Sequence, residues 1–531
     1  MDANPRAGTP VTRRKFLATT AAAVNGIAAT GIAAARATTV RVRLVPAEGV
    51  SGPTPVAFGV PLPSGLLRDA SRVAVLDNRG RPLPAWIEAL EPWRTGGRDG
   101  SIRSLRVRLR VDPVEHGTLQ VRLGDAGHPA PDGAPPDAED VLLAPDGLRG
   151  PRVFALLPAA WLCASDVAGP QTPADPHGRF AGYDAFVERS FPGSLAYLDS
   201  SVYHHWLFDR PTCWYTQYAR TGDRRFLEAA FHGAHFMRTH MATGGSDAGY
   251  FTLKGPDVKY VYPRAMHVHY LLTGDPRARE AGVTMARYCL MNWDPVYRPE
   301  RYTQPPLGTD PEAGRLFWSP RHEAYGLLGV LHGWELTGEG VYWDRIHAYV
   351  EALDRHQRQP PDGRPPDGSF RQHWALYDPN ESLLPGATSA WMTAILMDAL
   401  FHAWLVTADA RIPPMIVRWC EFLDRKGFVP DGSRAYYVID CFGDASVDEA
   451  PDAQAQGMER HSTELAMTFA MGHYFATDAA LAGRFRRRFD RLLAAALRID
   501  TNRPERAYNW AFQASSRLVW FMTAPRARAK H

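Results

Sequence analysis

Hydrophobic and polar positions alternate with a period of two from Thr38 to about Gly124. The clearest runs are Val40–Leu44, Val56–Val60, Val73–Leu76, Ile102–Val111 and Leu119–Leu123. That period sends successive side chains to opposite faces of a strand. Asn78-Arg79-Gly80 suits a tight turn between two of the runs. Pro61, Pro63, Pro82 and Pro84 belong at edges and turns. The pattern predicts a small antiparallel β barrel or sandwich over residues 38–124. Residues 125–185, rich in Pro, Gly and Asp up to about Gly150, are expected to form a linker and an entry segment.

From residue 186 to residue 525 the pattern becomes helical and repeats. A helix rich in aromatic residues ends on a threonine, and an acidic residue opens a second, more charged helix. The junctions are Thr221-Gly222-Asp223, Thr273-Gly274-Asp275, Thr337-Gly338-Glu339, Thr407-Ala408-Asp409 and Thr477-Asp478. Glycine ends a helix by turning left-handed, and an acid favours the N-terminus of the next. A sixth apolar helix, Tyr508 to Thr523, comes after these, and residues 526–531 form a tail. The first helix of each hairpin is apolar on nearly all sides, as an inner ring buried on both flanks would be, whereas the second is amphipathic. The expected fold is therefore a small antiparallel β domain followed by an (α/α)6-type toroid.

Parallel inner helices bring their N-terminal ends to one face, and unusual side chains stand at those ends. They are Tyr203-His204-His205-Trp206, then Lys259-Tyr260 with Arg264 and His267, then Arg321-His322-Glu323, Trp391, Arg460-His461 with Glu464, and Trp510. Tyr260, Arg264 and His267 fall on one face if the helix extends back to Tyr260. Convergent polar groups in an apolar concavity are the first candidates for a ligand site. The histidine spacings match no zinc motif, so no metal site is expected; calcium held by loop carboxylates near Asp362 and Asp367 stays open. No Walker sequence, dinucleotide fingerprint or nucleophile elbow stands in a fitting context, and no cofactor is expected.

The first 37 residues change the charge picture. Thr12-Arg13-Arg14-Lys15-Phe16-Leu17, an Ala-rich run from Ala18 to Ala35 and the pattern Ala35-Arg36-Ala37 read as a twin-arginine signal peptide. The run is diluted by Thr19, Thr20, Asn25, Gly26, Thr30 and Gly31, so no lasting membrane anchor is expected, and no other segment reads as a span. The partner during export is the twin-arginine translocase, and the destination is the periplasm or the exterior. The signal carries +4 of the chain's net charge of +3, leaving −1, which argues against a nucleic-acid partner. Five scattered cysteines without a Cys-x-x-Cys pair read mostly as buried small hydrophobes, with one disulfide left open.

Asp99-Gly100-Ser101-Ile102-Arg103, with Phe58-Gly59-Val60-Pro61 upstream, resembles a turn and strand of the rhamnogalacturonan exolyase-like family, although Ser104 stands where that family usually has Trp. The resemblance implies an N-terminal barrel, an α/α toroid and a polysaccharide substrate. It carries over no catalytic residue. The first functional reading is a polysaccharide lyase acting on uronate polymers, with His267 or His461 as base and Tyr260 as acid. Arg264, Arg321 and Arg460 would hold the carboxylate, and Trp206, Trp391 and Trp510 would stack on sugars. Tyr203, His204, His205, Lys259, His322, Glu323 and Glu464 complete the expected substrate contacts. A glycoside hydrolase using acids among Glu323, Glu459 and Glu464, or a glycan-binding protein without turnover, are the alternatives.

Overall fold

The computed structural model describes residues 38–94, 100–124, 131–136, 151–245, 247–295, 319–360, 363–372, 386–444, 446, 461–499 and 507–527. The signal segment, Asp362, Glu459 and Arg460 lie outside the described residues. The N-terminal region forms two antiparallel sheets from β1 (Thr38–Pro46), β2 (Thr54–Pro61), β3 (Val73–Leu76), β4 (Pro82–Leu83), β5 (Trp86–Pro92), β6 (Ile102–Val111), β7 (Thr118–Leu123) and β8 (Val153–Leu156). One sheet runs β4-β3-β7-β1-β8 and the other β2-β6-β5. The alternating Val40, Val42 and Leu44 of β1 share a core with Val56, Phe58 and Val60 of β2, so the arrangement is a sandwich.

The segment expected as a linker contributes structure. Residues 153–156 add a strand to the edge of β1, and α1 (Ala159–Ala164) and α2 (Ala181–Leu195) follow. A four-residue apolar run carries too little periodicity to be told from loop.

The helical region then proceeds as hairpins. They are α3 (Arg210–Thr221) with α4 (Arg224–Thr239), α5 (Pro263–Thr273) with α6 (Pro276–Asn292), and α7 (Pro320–Thr337) with α8 (Gly340–Arg358). Next come α9 (Ala390–Thr407) with α10 (Ile412–Lys426) and α11 (Ser462–Phe475) with α12 (Ala479–Ala496). The last apolar stretch is two short helices, α13 (Ala507–Phe512) and α14 (Leu518–Thr523), parted by a buried turn at Ser515, Ser516 and Arg517. A small two-stranded antiparallel sheet, β9 (Ala387–Thr388) with β10 (Ile439–Asp440), brackets α9 and α10.

The threonine repeat has a local cause. Thr273 donates its hydroxyl to the His269 carbonyl at 2.7 Å and accepts the Asp275 N–H at 3.0 Å. Gly274 turns at φ 72°, and the Asp275 carboxylate caps the next helix by accepting from the Arg277 N–H. Thr221, Thr337 and Thr407 make the same pair of bonds. The side chain thus fixes the angle at which each inner helix hands over to its outer partner.

The ring is closed. Neighbouring inner helices touch in the order α3, α5, α7, α9, α11, α13, and α13 touches α3 again. Asn509 of α13 donates its amide to the His205 and Leu207 carbonyls, both at 2.9 Å. Helices α2, α4, α6, α8, α10 and α12 lie outside, making an (α/α)6 toroid. One inner helix corrects the expectation that nothing after the signal could span a bilayer: α9 is long and apolar enough to do so. It packs between α7, α10 and α11, and its apolar surface is spent inside the ring.

The β domain sits against the C-terminal ends of α5 and α7. A Cβ on Gly59 would lie 2.1 Å from the Leu271 carbonyl oxygen, so only glycine permits that approach. Ser104 donates to the same carbonyl at 2.6 Å; a tryptophan there would have to displace the helix.

Candidate functional site

The N-terminal ends of the inner helices form a continuous rim of contacts. Tyr203 and Tyr260 meet edge to face with ring centroids 5.7 Å apart. Lys254 lies over Tyr203 at 5.4 Å and Lys259 over Tyr260 at 5.7 Å. Lys259 pairs with Asp257 at 2.7 Å, and His322 at the start of α7 lies 3.6 Å from the same carboxylate. Arg321 beside it stands 5.2 Å over the Trp391 ring. Trp391 stacks on His461 at 4.9 Å, and His461 meets Trp510 at 5.1 Å. Phe208 touches both tryptophans and closes the circle.

Burial tunes the charges there. It works against the Asp257 carboxylate, but Lys259 and His322 outweigh it and hold its pKa well below the usual range. Burial lowers His322 to about 4 although Asp257 opposes it. The Glu464 carboxyl is raised by burial against the opposing pull of His461.

His461 is the most firmly oriented of the rim's basic groups. Its Nδ1 lies 2.5 Å from Glu464 Oε2. With Glu464 accepting from Nδ1–H, the Nε2 lone pair remains to accept a proton. Glu464 Oε1, Trp391 Nε1, Tyr325 OH and Thr463 Oγ1 are buried without a hydrogen-bond partner among the described residues. Orphaned polar atoms of this kind gather where a ligand or water is received.

Not every expected residue reaches the rim. Trp206 is buried flat against Phe236, centroids 4.2 Å apart, and His205 Nδ1 bonds Ser200 Oγ at 2.6 Å. Glu323 is buried and acts on the Tyr349 phenol of outer helix α8. Helix α5 begins at Pro263, and Tyr260 sits in the short turn Val258–Tyr260 before it. The condition that would have put Tyr260, Arg264 and His267 on one helical face is not met. Asp367 Oδ1 accepts from the Ser369 amide and hydroxyl at 2.9 and 2.6 Å and faces Arg371 at 3.2 Å, while its Oδ2 is buried without a hydrogen-bond partner among the described residues. The five cysteines are buried and unpaired.

Arg264 and His267 belong to a second assembly that fills the bore. Arg264 pairs with Asp398 at 3.1 Å, and Arg517 takes the other oxygen of Asp398. Deeper in, Arg103 of β6 reaches across the domain junction to Glu335 at 2.7 Å, with Glu91 of β5 at 3.8 Å. His267 Nε2 lies 2.7 Å from Glu91, and its Nδ1 faces His332 Nδ1 at 3.0 Å. Burial opposes the charge on Glu335, but Arg103 and His402 prevail and hold its pKa well below the usual range. Burial raises Asp166 to about 7 against Arg103 and Arg517.

Sequence reasoning missed Lys254, Asp257 and Phe208 on the rim, and Glu335, His332, Asp398, His402 and Arg517 in the bore. A signal for the second group was present: charged and imidazole side chains stand in the middle of helices otherwise apolar on every side.

No family model matches the chain, and no curated protein matches it. Among solved structures it is similar to an unsaturated glucuronyl hydrolase from Bacillus sp. GL1, with 15% identity over 66% of this chain and 98% of that one, at a TM-score of 0.44. An unsaturated glucuronyl hydrolase from Streptococcus agalactiae gives 10% identity over 65% and 94%, also at 0.44. A beta-1,3-1,4-glucanase from Paenibacillus sp. X4 gives 11% over 66% and 94%, at 0.43.

Proposed function

We propose that this chain is an exported carbohydrate-active enzyme, a polysaccharide lyase that cleaves uronate-containing polymers by β-elimination at the rim of the toroid. The observation that carries this is His461, held by Glu464 and sandwiched between Trp391 and Trp510, with Arg321 over Trp391. A histidine so oriented is a base, and a cation close by suits a carboxylate.

In this reading His461 Nε2 takes the proton at C5, α to the uronate carboxylate. Arg321 and Lys259 neutralise that carboxylate as the electrons move into it. A C4–C5 double bond then forms, the O4 leaving group departs, and Tyr260 supplies its proton. His267 and Arg264, sealed in the bore, have no part in the sugar contacts, and the scheme uses no cofactor. Residues 1–37 deliver the folded chain through the twin-arginine translocase to the periplasm or exterior, where such polymers lie. The resemblance to rhamnogalacturonan exolyases makes rhamnogalacturonan the first polymer to try.

A second reading has its own observation. Glu464 has a raised pKa and an unpartnered oxygen, which suits a general acid in a glycoside hydrolase. Residues 38–531 incubated with uronate and neutral polysaccharides separate the two. Ultraviolet absorbance of an unsaturated uronate supports the lyase; new reducing ends without that absorbance support the hydrolase. Binding with no new ends overturns both.

A further inference from the structure

We infer that the bore carries a structural metal site, in which His267 Nδ1, His332 Nδ1 and Glu335 Oε2 hold one divalent first-row ion, zinc being the best fit. These three atoms come together without any sequence motif. His267 lies on α5 and His332 and Glu335 one turn apart on α7, so two adjacent inner helices supply the set from facing sides.

The spacing has the size a metal needs. The Nδ1 atoms are 3.0 Å apart, His332 Nδ1 lies 3.1 Å from Glu335 Oε2, and His267 Nδ1 lies 3.9 Å from it. Zinc bonds of about 2.0–2.1 Å in a tetrahedron require ligand edges of about 3.3 Å. His402 Nε2 of α9 lies 3.0 Å from the same Glu335 oxygen and stands beside the three ligands as a hydrogen-bonding neighbour. All four residues are buried.

The surroundings are those of a metal's supporting shell. His267 faces the Glu91 carboxylate at 2.7 Å through Nε2, so that nitrogen carries its proton and Nδ1 presents its lone pair inward. Arg103 holds the remaining Glu335 oxygen at 2.7 Å. Both supports come from the β domain, so the site would tie the sandwich to the ring. The alternative is a proton shared between the two Nδ1 atoms, with no ion.

The experiment is elemental analysis of folded residues 38–531, expressed with zinc and freed of loosely held metal. One equivalent per chain is expected. Cobalt substituted for it is expected to give the visible bands of a tetrahedral nitrogen and oxygen site. His332→Ala is expected to lose the metal. Because that variant removes a buried group and risks misfolding, Glu91→Gln, which leaves every ligand in place, serves beside it and is expected to release the metal to a chelator with affinity lowered about 10–100-fold. Trp391→Ala on the rim is expected to keep the full equivalent. Wild-type protein that unfolds cooperatively yet holds no stoichiometric metal, and takes up neither zinc nor cobalt on refolding, overturns the inference, as does an equivalent that survives His332→Ala in folded protein.

Discussion

The two ends of the ring are built from the same helices and differ in what closes them. At the N-terminal end the polar groups sit on turns and first helical residues, several keep unpartnered atoms, and aromatic rings surround them. At the C-terminal end threonine hydroxyls satisfy the last carbonyls, the β domain covers the opening, and Arg103, Glu335 and Glu91 pair inside. Both sets keep buried atoms without a hydrogen-bond partner among the described residues, Glu91 Oε2 and Arg103 Nε in the bore included; the bore differs in that its charges face opposite charges, which hold an architecture. The location of a titratable residue along an inner helix therefore says more about its task than its type does.

The sharpest way to break this contrast is at its two centres. His461→Ala is expected to lower turnover about 10²–10⁴-fold with a smaller fall in unfolding midpoint than a bore variant shows; an equal fall would erase the distinction. Arg103→Ala is expected to do the reverse, costing about 3–5 kcal/mol in denaturant unfolding by leaving Glu335 and Glu91 uncompensated. Acid titration gives a smaller, one-sided effect. Burial lowers His269 to about 4, below its value in the unfolded chain, so the unfolded state binds the extra proton first. Stability is then lost as pH falls from about 6.5 toward 4, by about 1–3 kcal/mol for this group, and His269→Gln should flatten that part of the profile. Asp275→Ala removes one cap and its pairing with Arg277 and is expected to cost about 1–2 kcal/mol, read by the thermal midpoint.

The hairpins were legible in the sequence because each junction is a local matter: the hydroxyl, the left-handed residue and the acid lie within three positions. Much of the rim was legible for a related reason, since helix starts can be counted once the hairpins are known. Trp206 shows the limit, because stacking on Phe236 or on a sugar look alike in sequence. In the bore the polar residues within apolar helices were visible, but their pairing was not. Arg103 read as an ordinary strand residue and Glu91 lay outside every run read as a strand, and only the closed ring and the seated sandwich bring them to Glu335 and His267. Strand β8 escaped notice because its pairing partner, β1, lies far back along the chain.

The bonds from Asn509 to residues 205 and 207 set a clock on synthesis. The chain between Leu207 and Asn509 spans 302 positions. At about 5–20 residues per second the ribosome needs about 15–60 s to make it. Throughout that time the wall of α3 facing α13 has no neighbour, and Cys213, which contacts the Asn509 backbone in the finished ring, lies beside an open seam. The inner ring is closed only by α13, so a nascent chain stalled between α11 and residue 507 is an arc with two apolar ends.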